Sequence, residues 1–198
     1  MKIGRSLLAG LAAAAGAAAI VGAAGMKTAS TAAPKAASAA VERGKYLVSV
    51  LACNDCHTPK KFGPDGSMQL DMTMFLAGYV DEHLPPPPPA SGPWMIHANP
   101  HLTAWAGPWG VSYTKNLTPD ENTGIGSWSE ETFMKAIRTG KHMGVSRPIL
   151  PPMPWDVYKN LTDADLRAVY AYLRTIPPVH NPQPDPTPPP APPAGAKP

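Results

Sequence analysis

The stretch Cys53-Asn54-Asp55-Cys56-His57 contains the only two cysteines of this 198-residue chain, and a histidine directly follows the second one. Residues three apart share one face of a helical turn, so a helix here would present both thiols on the same side. Two cysteines are too few for a disulfide framework, and a bond between them would close only a very small loop. The spacing therefore indicates a chemical role for this stretch.

Cys-x-x-Cys-His is the attachment motif of a c-type haem. Cys53 and Cys56 would add to the two vinyl groups on one haem edge, and His57 would then lie under the ring as an iron ligand. A zinc half-site would need a second ligand pair, and the chain has no further cysteine. A thioredoxin-like redox pair is expected beside alternating strands and helices, which the sequence lacks, and a local disulfide is the third alternative. We therefore expect one covalently bound haem c.

The second iron ligand is expected downstream, and Met153 is the favoured residue. It lies in Ile149-Leu150-Pro151-Pro152-Met153-Pro154-Trp155, where three prolines stiffen a loop shortly before the last predicted helix. A rigid loop reduces the entropy that is lost when a weak thioether ligand binds. The simplest alternative is that Met153 fills an apolar gap. Met143 and His142, in a predicted turn, are further alternatives, and His142 is expected to be exposed. The remaining candidates are His83, His97, His101, His180, Met68, Met72, Met74, Met95 and Met134.

Three helices follow from hydrophobic periodicity and capping signals. They are predicted at about Val41 to Cys53, Glu130 to Thr139 and Asp163 to Thr175. Ser127 or Ser129 would cap the second helix and Thr162 the third. Residues 58–127 are rich in Gly and Pro and are expected to form loops, with a short extended piece near Val111 to Tyr113.

The N-terminal end has the composition of an export signal. Lys2 and Arg5 precede an uncharged run rich in Ala, Leu and Gly at residues 6–26, which is typical of a secretory signal peptide. The run approaches membrane-spanning length, so an anchor formed by residues 6–26 is the alternative. We predict that residues 1–26 are a signal peptide or anchor, that residues 27–40 are a small-residue linker, and that the bulk of the chain is exported.

Proline is concentrated in two places. The chain has 27 prolines, of which eleven fall in residues 177–198 and five form the run Pro85 to Pro89. We predict a disordered Pro-rich tail over residues 182–198, whose removal from residue 183 onward should leave stability unchanged. The Pro85 to Pro89 run is predicted to be a stiff surface spacer or a docking feature. Residues 41–181 remain as a single domain.

The net charge of +3 is unevenly distributed. Residues 1–39 contain four cations and no acid, which leaves 13 cations and 14 acids in the rest of the chain. The basic excess therefore belongs to the export segment, and binding to nucleic acid has no support.

Together these features resemble the monohaem class I cytochrome c fold over residues 41–181: a helix ending in the haem motif, an intervening helix, a Met-bearing loop and a final helix. More narrowly, the chain is similar to cytochrome domains in or beside bacterial periplasmic dehydrogenases. The stretches that carry this similarity are residues 43–47, 116–120, 123–126, 150–155 and 161–178. Those subunits often contain several haem motifs, whereas this chain contains one.

The resemblance implies an all-α fold of three or more helices around one covalent haem, with long Pro/Gly-rich loops. It implies ligation by His57 and Met153, and it matches Gly44 to the close contact between the first helix and the Val169 to Leu173 face of the last. Pro59 is expected to help orient His57. Residues that could line the haem or bind its propionates are Pro64, Trp105, Trp109, Tyr113, Asn116 and Trp128.

The function that the resemblance implies is one-electron transfer in the periplasm, without catalysis by the chain itself. The expected partners are redox proteins: a dehydrogenase as donor, and an oxidase or another cytochrome as acceptor. The alternative is a gas sensor or peroxidase-type enzyme, which needs a labile sixth iron ligand. Ligation by Met153 would separate the two functions.

Overall fold

The computed structural model describes residues 32–81, 83, 85–88 and 95–189. Its helices are α1 (Ala32–Val50), α2 (Cys53–His57), α3 (Glu130–Thr139), α4 (Trp155–Tyr158) and α5 (Asp163–Leu173). Its strands are β1 (Lys60–Phe62), β2 (Met68–Leu70), β3 (His97–Ala98), β4 (Ala104–Gly107) and β5 (Gly110–Tyr113). Short 3₁₀ turns cover Met72–Met74 and His142–Gly144.

The core forms where α1 packs against α5, with α3 beside them. Its buried side chains include Leu47 and Val48 of α1, Phe133 of α3, and Leu166, Val169 and Leu173 of α5. Gly44 lies at the closest approach, because a Cβ atom there would be 1.9 Å from the carbonyl oxygen of Ala168. The predicted close contact of Gly44 with the last helix is confirmed, and it centres on Ala168 and Tyr172.

Capping residues define the ends of α3 and α5. The Oγ atom of Ser129 accepts a hydrogen bond from the Thr132 N–H at 3.1 Å, and Gly140 ends α3 in the left-handed region with φ 64°. The Oγ1 atom of Thr162 accepts from the Asp165 N–H at 3.1 Å. The predicted bounds of α3 are confirmed. They could be predicted because the capping residues lie next to the helix ends that they define.

The start of α1 differs from the prediction. The helix begins at Ala32 rather than near Val41, so residues 32–40 of the predicted linker are helical. It ends at Val50, and Ala52 then adopts a left-handed conformation with φ 57° before α2 begins. This bend separates the haem motif from α1, whereas the sequence predicts one continuous helix to Cys53.

Two small antiparallel sheets occupy the region between α2 and α3. β1 pairs with β2, and β3, β4 and β5 form a three-stranded sheet in that order. The sequence predicts an all-α fold, so these strands are not predicted, apart from the extended piece near Val111 to Tyr113. Each strand has two to four residues, which is too short for an alternating hydrophobic pattern to be recognised.

The predicted disordered tail is wrong for residues 182–189. The side chain of Gln183 donates to the Ala77 carbonyl oxygen at 3.0 Å and accepts from the Asn116 N–H at 3.1 Å. Thr187 and Val111 exchange two backbone hydrogen bonds of 2.8 and 2.9 Å. The tail is ordered there because its polar groups bind the backbone of the domain, although it buries little apolar surface.

Several predicted features fall on residues that the structure leaves undescribed. They are the signal peptide or anchor at residues 1–26, residues 27–31 of the linker, Pro89, and residues 190–198 of the tail. Residues 85–88 of the proline run are exposed and have no regular secondary structure. Among the helices that are described, none is long and apolar enough to cross a membrane.

Candidate haem-binding site

Helix α2 carries the two thiols and the imidazole of the haem motif. Cys53 and Cys56 are half-buried and form no disulfide, and His57 is 8% exposed. Burial raises the pKa of the Cys53 thiol to about 11. Burial also raises the pKa of Cys56, although the charge of Lys60 opposes it. Both sulfurs are therefore protonated thiols at neutral pH, without the lowered pKa of a reactive redox pair.

The imidazole of His57 is oriented by a backbone carbonyl. Its Nδ1 atom lies 2.7 Å from the carbonyl oxygen of Lys115, which can only accept, so Nδ1 carries the proton. The lone pair of Nε2 is then available to a metal. Burial lowers the pKa of His57, although the hydrogen bond to Lys115 opposes this change. A neutral, fixed imidazole is the form that binds iron.

The haem motif faces a cavity of about 450 Å³. Cys53, Cys56, His57 and Met153 all contribute to its wall. Much of the remaining wall is apolar and includes Leu51, Leu117, Ile125, Phe133, Ile137, Ile149 and Leu150. A cavity of this size lies in the usual range for sites that bind organic ligands.

The loop that carries Met153 is anchored on either side of that residue. The Ser112 hydroxyl donates to the Pro151 carbonyl oxygen at 2.6 Å. On the other side, the Tyr158 hydroxyl of α4 donates to the Leu51 carbonyl oxygen, just before the haem motif. These hydrogen bonds fasten the loop to β5 and to the end of α1, in addition to the stiffening that its prolines provide.

Among the other predicted ligand candidates, all of which are described, His142 alone also lines the cavity. It is half-buried, so the prediction that it is exposed is wrong. Its ring packs edge-on against that of Trp128, with 5.3 Å between the ring centroids. Burial, together with the charges of Arg147 and Lys115, lowers its pKa. Met143 is 43% exposed and does not line the cavity.

Four of the predicted haem-lining residues are in the wall: Trp105, Tyr113, Asn116 and Trp128. Pro64 and Trp109 do not line the cavity: Pro64 is exposed, and the indole N–H of Trp109 donates to the Ser112 hydroxyl at 3.3 Å. The amide of Asn116 is used within the protein, donating to the Val179 carbonyl at 2.7 Å and accepting from the Thr118 N–H at 2.9 Å. Its role here is to hold the surrounding loops together.

One end of the cavity is polar and basic, a feature that the sequence analysis missed. Lys115, Arg147 and His142 line both the cavity and an adjoining pocket. Thr114 also lines the cavity, and its hydroxyl is buried without a hydrogen-bond partner. Burial, reinforced by Arg147, lowers the pKa of Lys115. An apolar cavity with cations at one end fits a haem, which has an apolar ring and two carboxylates.

The comparison with known families agrees with this geometry. The family model described as cytochrome c matches residues 41–177. The chain belongs to the cytochrome c family. Its helical core around the cavity is the class I cytochrome c fold that the sequence resembles, with the two small sheets added. The family implies covalently bound haem c and a function in electron transfer.

This cytochrome is similar to the cytochrome subunits of bacterial dehydrogenases. It is 33% identical over 145 residues to the fructose dehydrogenase cytochrome subunit of Gluconobacter japonicus, covering 73% of this chain and 23% of that one. It is 32% identical over 144 residues to the gluconate 2-dehydrogenase cytochrome c subunit of Pantoea cypripedii, covering 73% and 25%. The chain thus spans about a quarter of the length of these relatives.

Proposed function

We propose that this cytochrome is a periplasmic one-electron carrier with a single haem c, bound through Cys53 and Cys56 and ligated by His57 and Met153. The haem supplies a one-electron iron couple. The observation that carries the proposal is that both cysteines, His57 and Met153 line the same cavity. A closed site of this kind suits electron transfer rather than binding of an exogenous ligand.

The side chains around the cavity would each have a defined task. The two thiols would hold the haem covalently, and the Lys115 carbonyl would keep the His57 ring in place. Met153 would complete the coordination with a sulfur, which favours ferrous iron and gives a higher potential than a second histidine. The apolar wall would exclude water from the site.

The basic end of the cavity supports an orientation for the haem within it. Lys115, Arg147 and His142 are close enough for their charges to affect one another, because Arg147 lowers the pKa of both Lys115 and His142. Asp185, whose carboxylate lies 3.9 Å from Arg147 in the adjoining pocket, offsets part of that repulsion. Two propionates at this end would relieve more of it, and the unpaired Thr114 hydroxyl could donate to one of them. The apolar haem ring would then contact the apolar wall, and the two propionate carboxylates would contact the cationic side chains.

We also propose that the protein works in the periplasm with a dehydrogenase as electron donor and an oxidase or another cytochrome as acceptor. The export signal that the sequence predicts at residues 1–26 supports the location, and residues 6–26 would anchor the protein to the inner membrane if they are retained. The similar dehydrogenase subunits support the choice of donor.

Mass measurement of the exported protein tests the covalent attachment. Denatured wild-type protein should retain the mass of one haem. Because one and two thioether bonds give the same mass, the pyridine haemochrome spectrum, which shifts when a vinyl group is left unreacted, should show the loss of one bond in Cys53→Ala or Cys56→Ala. Asn54→Ala, within the same motif, is the control and should keep both bonds. Haem that extracts freely into acidified acetone from the wild-type protein would contradict the proposal.

A further inference from the structure

We propose that Lys60 is a positioning residue for the haem site, whose buried ammonium stabilises the reduced state and raises the reduction potential. This inference rests on the proposed haem attachment and on ligation by His57. Lys60 opens β1, three residues after His57, and is only 6% exposed. Lysine is among the residues that are least often fully buried, so its burial here calls for a specific reason.

The ammonium of Lys60 lies at the carbonyl end of α2. Its Nζ atom donates to the carbonyl oxygen of Asp55 and, at 2.7 Å, to that of Thr58. The backbone N–H of Lys60 donates to the Nδ1 atom of His101 at 3.0 Å, which fixes the residue at the start of the strand. Free carbonyl groups make the end of a helix partly negative, so a cation there is favourable.

From this position the Lys60 ammonium interacts with the backbone and the charge of the haem motif. The two carbonyl groups that it binds flank Cys56 and His57 in the chain, and its charge is close enough to oppose the rise that burial causes in the pKa of the Cys56 thiol. Burial lowers the pKa of Lys60, but the nearby carboxylate of Asp55 opposes this change. A buried charge is also screened by salt much less than an exposed one.

Addition of one electron makes the haem site more negative by one unit. A fixed cation nearby therefore interacts more favourably with the reduced site than with the oxidised site. Lys61 provides a matched comparison, because it is the next residue on the same strand and carries the same charge. Its side chain is 62% exposed, and its Nζ atom forms an ion pair with Asp71 at 2.9 Å.

The test is the midpoint potential of exported holoprotein, measured by spectroelectrochemistry at neutral pH. Lys60→Gln, which keeps an N–H donor but removes the charge, should shift the ferrous-to-ferric ratio at a fixed potential several-fold toward ferric; tenfold corresponds to 59 mV for one electron. Lys60→Met should shift it in the same direction. Lys60→Arg, which keeps the charge, and Lys61→Gln should each change the ratio less than twofold.

These variants separate an effect of the Lys60 charge on the reduction potential from a purely structural effect of the substitution. Equal shifts for Lys60→Gln and Lys61→Gln, or a shift for Lys60→Arg as large as that for Lys60→Gln, would overturn the inference. If Lys60→Gln does not yield holoprotein, Lys60→Met and Lys60→Arg decide by the same criterion. Wild-type protein without covalent haem would refute the proposed function itself, whereas intact haem with an unchanged potential in Lys60→Gln refutes only the role of Lys60.

Discussion

The Nδ1 atom of His57 lies 2.7 Å from the carbonyl oxygen of Lys115, 58 positions further along the chain. The loop that carries this carbonyl is held in turn by the C-terminal segment. The Lys115 ammonium donates to the Pro184 carbonyl oxygen at 2.8 Å, and the Asn116 N–H donates to the Gln183 side chain at 3.1 Å. The orientation of the imidazole therefore depends on residues near the end of the described chain.

Deletion of residues 183–198 should lower the free energy of unfolding by about 2–4 kcal/mol. It removes five hydrogen bonds that Gln183, Thr187 and the Pro184 carbonyl form with the rest of the domain. Each contributes about 1 kcal/mol, and the conformational entropy that the segment loses on ordering offsets part of the sum. Thermal unfolding of the holoprotein measures the loss. Deletion of residues 190–198 alone is the control and should have little effect. Equal melting temperatures for both truncated proteins and the full chain would show that the segment contributes nothing.

Gly44→Ala should destabilise the contact between α1 and α5 by about 2–4 kcal/mol. The added methyl group would lie 1.9 Å from the Ala168 carbonyl oxygen and 2.8 Å from the Tyr172 Cβ atom, so the helices would have to separate. Denaturant unfolding measures the loss. Lys45→Ala, at an exposed position of the same helix, is the control. A Gly44→Ala protein as stable as Lys45→Ala would contradict the packing of these helices.

Ser112→Ala should loosen the loop that carries Met153. The variant lacks the hydroxyl that donates to the Pro151 carbonyl oxygen at 2.6 Å, a loss of about 1 kcal/mol. The ferrous protein should then bind carbon monoxide about fivefold faster, because the methionine leaves the iron more often. The exposed Ser127→Ala is the control. Identical rates for the two variants would mean that this hydrogen bond does not secure the loop.

The ion pair between Arg43 and Asp165 should contribute stability that depends on pH. The Arg43 Nε atom lies 2.9 Å from an Asp165 carboxylate oxygen, and this hydrogen bond lowers the pKa of Asp165 below 3.8. The stabilisation is therefore present above pH 4 and is lost as the pH falls through the lowered value.

Asp165→Asn should cost about 0.5 kcal/mol at neutral pH, because the Arg43 side chain is half-exposed and solvent weakens the pair. The difference from wild type should shrink in high salt and disappear in acid, as followed by denaturant unfolding at several pH values. A difference that persists unchanged to the lowest pH would indicate lost packing instead of lost charge.

The features that could be predicted from the sequence are those whose causes are local. The haem motif consists of five consecutive residues. The N-terminal caps of α3 and α5 are Ser129 and Thr162, and each accepts a hydrogen bond from the N–H three residues further along the chain. The position of His142 could not be predicted, because its burial depends on Trp128 from a separate loop. The ordered tail escaped prediction for the same reason, since Gln183 binds Ala77 across 106 positions.

No local sequence pattern predicts the basic end of the cavity either. Lys115 and Arg147 lie 32 positions apart, and nothing in the residues around them indicates that they meet. They come together because β5 leads Lys115 to the cavity from one side and the turn after α3 brings Arg147 from another. Contacts of this kind depend on the path of the whole chain.

The binding of carbon monoxide to the ferrous holoprotein tests the central claim, that Met153 closes the iron site. The wild-type protein should be low-spin and bind carbon monoxide slowly or not at all, and its ferric form should show the weak long-wavelength sulfur-to-iron band. Met153→Ala should abolish that band, open the site to carbon monoxide and lower the potential, with the haem still covalently attached.

His142→Ala and Met143→Ala are the controls, since His142 shares the cavity and Met143 precedes the same loop. Both should retain the band and the slow binding of the wild-type protein. If His142→Ala rather than Met153→Ala opens the site, the ligand assignment is wrong. If the wild-type ferrous protein binds carbon monoxide at once, its sixth site is labile, and the function of a gas sensor or peroxidase replaces that of a closed electron carrier.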